Sequence, residues 1–278
     1  MIYTLKLGSR DLPWGLIPFI KVIIQTVTLN YLSRPLTMIK QFNYLILTFL
    51  LIVCASTSGQ IYKDPGAAVE DRVNDLLLRM TETEKLNYIG GYNSMYIRSL
   101  SRLGLPAIKM SDGPVGVRTW GKTTAYPAGI LNAATWDTAL VGKLGRALGK
   151  DCRSRGVHIL LAPGVNIYRA PMCGRNFEYF GEDPYLASRM TVSYIKGVQQ
   201  EGVAATVKHY AANNQEWDRY NVSSDLDERT LQEIYLPTFK AAVMEANTGC
   251  VMCSYNLVNG AWASQNYHLL TDVLKNDW

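Results

Sequence analysis

At 278 residues, with 48% hydrophobic and 18% charged positions, the chain is long enough to bury one large core, which excludes bulk disorder. The net charge of +5 is concentrated at the start: Lys6, Arg10, Lys21, Arg34 and Lys40 face only Asp11 before residue 60, and 23 Lys/Arg balance 22 Asp/Glu after it. A near-neutral body carries no polyanion footprint, so nucleic acid is not an expected partner.

Residues 38–59 have the layout of a secretory signal peptide: Lys40, an apolar run over 44–53, then the small residues Ala55, Ser56, Thr57, Ser58 and Gly59. The apolar run falls short of the ~20 residues that span a bilayer. Export to the periplasm or the extracellular space is therefore expected, with no stable membrane insertion after signal removal. A membrane anchor is the competing reading, and Cys54 after the bulky Val53 is a weaker lipoprotein cue. Residues 1–37 read as an over-extended N-terminus ahead of a start at Met38, or, through 14–32, as a second membrane-seeking stretch. Residues 60–278 read as the folded domain.

Between 67 and 88 the apolar positions Val69, Val73, Leu76, Leu77, Met80 and Leu86 recur at helical spacing, with a fresh helix start at Thr81-Glu82-Thr83-Glu84. An opening helix pair is predicted. One theme then repeats, in which a short apolar run leads into a polar loop and a helix-period segment. Run 105–110 empties into Ser111-Asp112-Gly113-Pro114, and run 157–161 into the loop 162–184, with a helix predicted over 136–152. Run 203–207 empties into Lys208-His209, and run 250–253 into Ser254-Tyr255-Asn256; between them 227–245 places Leu231, Ile234, Tyr235, Phe239 and Val243 on one helical face. Strands alternating with helices predict an α/β fold with a parallel sheet, and polar residues at every strand end predict a (β/α)8 TIM-type barrel whose loops converge on one mouth. Only four or five of the eight units can be counted, so the barrel is expected to be incomplete at the C-terminus.

The strand ends carry the chemistry. Asp112, in a turn whose Gly113 and Pro114 fix the backbone, has two oxygens suited to the vicinal hydroxyls of a sugar, or else caps its own turn. The loop 173–184 concentrates Arg175, Glu178, Glu182 and Asp183 with Phe177, Tyr179 and Phe180, a composition that fits a carbohydrate mouth. In the competing reading Arg175 simply neutralises Glu178 or Asp183; Glu182 and Asp183 are expected to cap the helix after Pro184. Lys208 and His209 side by side need hydroxyls or a carboxylate to face. Tyr255 offers a hydroxyl at the fourth strand end, or is a core residue of the rim. Cys250 and Cys253 form a CxxC inside an apolar run with no second CxxC, and His158, His209 and His268 share no ligand spacing, so neither redox chemistry nor a metal is expected.

Taken in order, the chain resembles glycoside hydrolase family 3, in its β-glucosidase and β-xylosidase branch. The resemblance is carried by 111–118, by Gly174-Arg175 through Glu182-Asp183-Pro184, by Lys208-His209-Tyr210 with Asn213-Asn214, by Met252-Cys253-Ser254-Tyr255-Asn256, and by Asn266, Leu269-Leu270-Thr271 and Asp277-Trp278. It implies an exo-acting, retaining β-D-glycosidase acting on an oligosaccharide or β-glucoside. Residues matching Asp112, Arg175, Lys208 and His209 would grip the non-reducing sugar, and Tyr255 would lie beside the nucleophile. Retention needs two carboxyl groups about 5–5.5 Å apart, and these supply nucleophile, acid and base, so no cofactor is expected. Asp277 is the tempting nucleophile, but Leu270, Val273 and Leu274 predict a helix capped by Thr271, which puts Asp277 at a helix end instead of a strand end. Both catalytic carboxylates are therefore expected beyond Trp278. The alternative is an inactive, truncated carbohydrate-binding fragment; a barrel with phosphate or metal chemistry lacks its Gly-rich loop or ligand cluster.

Overall fold

The computed structural model describes residues 59–118 and 121–278. The over-extended N-terminus at 1–37 and the signal at 38–58 lie outside the described residues. Those described fall into two units that divide after Leu78. In the first, Tyr62 is buried in a short turn and its N–H donates to Asp75 Oδ2 (3.1 Å), which ties the turn to helix α1 (Val69–Arg79).

In the second unit, helix α2 (Glu82–Ile89) opens on a reciprocal cap: Thr81 Oγ1 accepts from the Glu84 N–H, and the Glu84 carboxylate accepts from the Thr81 N–H. A hairpin of β1 (Gly91–Tyr92) and β2 (Tyr96–Ile97) leads to β3 (Ile108–Asp112), paired antiparallel to β2. From β3 onward the neighbours run parallel: β4 (Ile159–Leu161), β5 (Ala204–Tyr210) and then β7 (Cys250–Cys253). Helices α3 (Gly129–Ala134) and α4 (Thr138–Ser154) connect β3 to β4, and α5 (Pro184–Gln200) connects β4 to β5. The return from β5 to β7 runs through β6 (Ser223–Ser224), α6 (Glu228–Thr230), a π turn over Leu231–Tyr235 and α7 (Pro237–Met244). Four parallel strands joined by helical crossovers form part of a (β/α)8 barrel. A small second sheet, β6 with β8 (Leu257–Val258) and β9 (Ala261–Trp262), follows the end of β7, and the last helix spans His268–Asp277.

The burial pattern explains the layers. Val141, Gly145, Leu148, Gly149 and Cys152 recur at helical spacing and form the inner stripe of α4. Along β5 every residue after Ala204 is buried, as a central strand covered on both faces requires. Helices α4 and α5 approach closely because two glycines face each other's backbones: a Cβ on Gly145 would lie 2.4 Å from the Tyr194 carbonyl oxygen, and one on Gly197 2.3 Å from that of Gly142.

Several boundaries differ from the sequence reading, three of them with a visible cause. The first strand begins at Ile108 instead of Leu105, because Leu105 instead bridges Leu100 in a tight loop. The third runs on past Val207 to Tyr210, because Lys208 pairs with Met252 and Tyr210 with Cys253 of β7. The last helix starts at His268; Asn266 Oδ1 accepts the Leu269 N–H (3.1 Å), and Thr271 lies inside the helix. Asp277 does end that helix, and it is exposed. Asp183 caps α5 through the Leu186 N–H (2.8 Å).

The α4–α5 contact predicts that Gly145→Ala destabilises the protein by about 2 kcal/mol, the cost of overpacking against rigid backbone. Gly156, with open space around its missing Cβ but a φ of +65°, should lose only about 1 kcal/mol on change to Ala. Urea midpoints of the two variants check the order, and a Gly145→Ala midpoint at or above that of Gly156→Ala would contradict the packing.

Candidate functional site: an alternating ion-pair chain at the strand ends

The site begins with Asp112, the last residue of β3. The following turn places the Gly113 backbone so close that a Cβ there would lie 2.1 Å from the Gly116 carbonyl oxygen, so only glycine fits. The Arg118 N–H bonds back to the Asp112 carbonyl (2.9 Å), and its guanidinium reaches Asp112 Oδ2 (3.1 Å). Asp112 therefore does not cap its own turn with its side chain; its carboxylate is shared between two cations.

The second cation is Lys208. Its ammonium is buried, 2.6 Å from Asp112 Oδ1 and 3.5 Å from Glu178 Oε2. A buried ammonium is tolerated only with such partners. Glu178, itself buried, takes Arg175 Nε at 2.5 Å through its other oxygen. Arg175 Nη1 lies 3.9 Å from Glu216 Oε1, and Glu216 Oε2 lies 2.5 Å from Arg219 Nη1. The Arg219 guanidinium covers the ring of Tyr255 at 4.7 Å. Cations and carboxylates thus alternate from Arg118 to Arg219 across the ends of β3 and β5 and the loop after β4. Burial opposes the charge on Arg175, but Glu178, with Tyr179 and Glu216, holds the guanidinium above its ordinary pKa.

His209 follows Lys208 at a bulge, lying between two paired residues of β5 without a partner on β7. A bulge of this kind re-aims a side chain but orphans the backbone. Asn166 repairs the loss: its Oδ1 accepts the His209 N–H and its Nδ2 donates to the His209 carbonyl, both at 2.9 Å. The Tyr179 hydroxyl lies 3.3 Å from His209 Nδ1 and receives an Asn213 N–H at 3.4 Å. The Tyr179 hydroxyl thus bridges the Asn213 amide and the imidazole. Burial, and then the charges of Arg175, Lys208 and Arg219, push the His209 pKa down to about 2, so the ring is neutral. Burial likewise raises the Tyr179 phenol well above its ordinary value.

Of the five residues singled out in the sequence, Asp112, Arg175, Lys208 and His209 come together in one cluster, in which Lys208 and His209 are buried and Asp112 and Arg175 partly so, and Tyr255 joins it through Arg219. Tyr255 is not a core residue of the rim: it is about half exposed, with Ser254 and Asn256 buried on either side. Ser254 Oγ donates to the Ala211 carbonyl (2.9 Å) and Asn256 Nδ2 to that of Leu257 (2.9 Å), so the flanks pin the backbone and leave the ring outside. The ion-pair reading of Arg175 also holds for Glu178 but not for Asp183, which is a helix cap. Glu178 links two of the expected residues and escaped selection as a site residue, although its spacing three after Arg175 is a visible signal. Glu216 and Arg219 repeat that spacing unnoticed, and nothing local marks Asn166.

Cations and carboxylates alternating at the strand ends of a (β/α) barrel form a candidate site for a polar ligand. Residues 71–278 match the glycosyl hydrolase family 3 N-terminal domain, and the chain belongs to that family. It is 46% identical over 218 residues to thermostable beta-glucosidase B of Acetivibrio thermocellus, covering 74% of this chain and 29% of that protein. It is 45% identical over 257 residues to beta-glucosidase BoGH3A of Bacteroides ovatus, covering 83% and 34%. The structure of beta-glucosidase 3B from Thermotoga neapolitana in complex with glucose superposes with a TM-score of 0.71 at 40% identity, covering 74% of this chain and 32% of that one. The chain thus spans about a third of the length of these relatives.

The depressed His209 pKa fixes the sign of a pH effect. An unfolded histidine takes up its proton near pH 6.5, whereas folded His209 resists protonation down to about 2. Between those values the unfolded chain holds more protons, so the stability this residue contributes is complete above pH 6.5 and declines as pH falls. His209 should cost the protein about 2 kcal/mol on going from pH 7 to pH 5. Urea denaturation of wild type and His209→Gln at both pH values measures this, and equal losses in the two proteins would rule it out.

Proposed function

We propose that this chain supplies the grip on the non-reducing sugar in a protein that hydrolyses terminal β-D-glycosidic bonds with retention, as a β-glucosidase does. The observation that carries the reading is the shared carboxylate of Asp112. Lys208 and Arg118 hold its two oxygens in place at a strand end, beside the neutral imidazole of His209 and the Arg175 guanidinium. Neutral hydroxyls need acceptors and donors at fixed positions instead of net charge, and this arrangement offers both. The relatives named beta-glucosidase, and the relative solved with glucose, support the same substrate class.

Retention requires a nucleophile and an acid/base, and on this reading neither is among the residues gathered here. Asp277, exposed at a helix end, is not proposed for either role. The stretch described here binds and orients, and bond cleavage belongs to carboxylates contributed by other parts of the protein. The second reading, a binding fragment without catalysis, shares this sugar site and differs only in what accompanies it. The layout of residues 38–59 supports an exported protein, in which such an activity would meet β-glucosides outside the cell.

Calorimetric titration with D-glucose tests the reading. The chain should bind glucose, and Asp112→Asn, which removes the charged acceptor, should weaken binding by about 10–100-fold. The 278-residue polypeptide should not turn over aryl β-glucosides. Absence of glucose binding by the folded chain, or an Asp112→Asn affinity equal to wild type, would remove the basis of the proposal.

A further inference from the structure

A groove runs between α5 and α7 on the helical layer of the barrel. Its walls come from those two helices, from the π turn before α7 and from Glu245 just after it. No residue of the ion-pair chain lines it. Its volume of about 370 Å³ falls within the roughly 300–1,000 Å³ of small-molecule sites, so it has room for a ring-sized ligand.

Tyr185 is the groove's aromatic residue, and it is 75% exposed yet held in place. Arg189, one helical turn on, lies 5.6 Å from its ring centre. The Arg189 guanidinium is in turn forked onto Glu245, with Nη2 at 2.5 Å from Oε1 and Nη1 at 2.7 Å from Oε2. One face of the ring is thus backed by an anchored cation, and the rest is open to solvent. Holding an exposed ring still removes part of the ordering cost of binding. Met244, more than half exposed, and Pro237 add apolar wall beside it. The charges narrow the occupant. Arg189 and Lys240 stand against Glu233 and Glu245, two of each sign, so the groove has no net charge with which to select an ion. Apolar walls with donors and acceptors around them fit a neutral ring that has an apolar face and a rim of hydroxyls.

We propose that this groove is a second carbohydrate site, on the outer wall of the barrel, which holds one glucosyl ring of a β-glucan chain against the open face of Tyr185. The choice of glucose rests on the β-glucosidase reading of the Asp112 cluster, whereas the groove itself uses none of that cluster's residues. Two separate sugar sites on one chain keep a long substrate near the molecule and raise its effective concentration at the mouth.

The test is calorimetric titration of the full chain with cellotetraose, for wild type, for Asp112→Asn, and for Asp112→Asn combined with Tyr185→Ala or Tyr185→Phe. Asp112→Asn, with the mouth weakened, should still bind the tetrasaccharide through the groove. Adding Tyr185→Ala should weaken that remaining binding by about fivefold or more, and Tyr185→Phe, which keeps the ring, should retain most of it. Binding by wild type that vanishes in Asp112→Asn, or a remaining affinity unaltered by Tyr185→Ala, would overturn the groove and leave the Asp112 site standing. If wild type binds no cellotetraose, the groove falls together with the sugar reading of the mouth. Should the Tyr185→Ala combination fail to fold, Met244→Glu, which places a carboxylate on the apolar wall, should give the same loss, and an unchanged affinity there would equally overturn the proposal.

Discussion

A single buried ammonium organises the functional end of this molecule. Lys208 lies inside the fold, and desolvating its charge would be costly without compensation of the kind Asp112 and Glu178 give it. Those two carboxylates come from the end of β3 and from the loop after β4, so the requirement to neutralise Lys208 also fixes where β3, that loop and β5 stand relative to one another. Arg175 and Arg118 each hold the outer oxygen of one of those carboxylates. The resulting chain of alternating charges leaves no large net field in the site, which suits a ligand that is neutral and rich in hydroxyls.

The bulge at His209 serves the same end. It lets two adjacent residues of one strand address the mouth, whereas an unbroken strand would turn the second one away. The backbone left unpaired is satisfied by Asn166, and the imidazole is held neutral by burial and by the surrounding cations. A neutral histidine can donate one hydrogen bond from its protonated ring nitrogen without adding charge. Tyr255 stands at the opposite limit of the chain of charges, half in solvent, beside the small sheet.

Local chemistry made much of this legible in the sequence. The reciprocal cap at Thr81 and Glu84 and the cap at Asp183 depend on residues three apart, and both are present as read. The polar segment after each apolar run points to Asp112, which ends β3, and to Tyr255, two residues past the end of β7. Lys208 and His209 were recognised but placed after their strand, since only pairing with Met252 and Cys253, some forty residues on, extends β5 past them. In the sequence Glu178 reads only as a neutralising partner for Arg175; its second contact, to Lys208, arises from tertiary placement and has no local signature. Thr271 does not cap the last helix, because Asn266 offers an acceptor earlier in the chain.

The most direct measurement of the central claim is a double-mutant cycle between Lys208 and Glu178, read as unfolding free energy for wild type, Lys208→Met, Glu178→Gln and the double variant. If the buried ammonium and this carboxylate depend on each other, each single change costs about 3 kcal/mol, and the double variant is less damaged than their sum by at least about 1.5 kcal/mol. Additive losses, or a Glu178→Gln variant as stable as wild type, would show that Lys208 is not the residue around which the site is built.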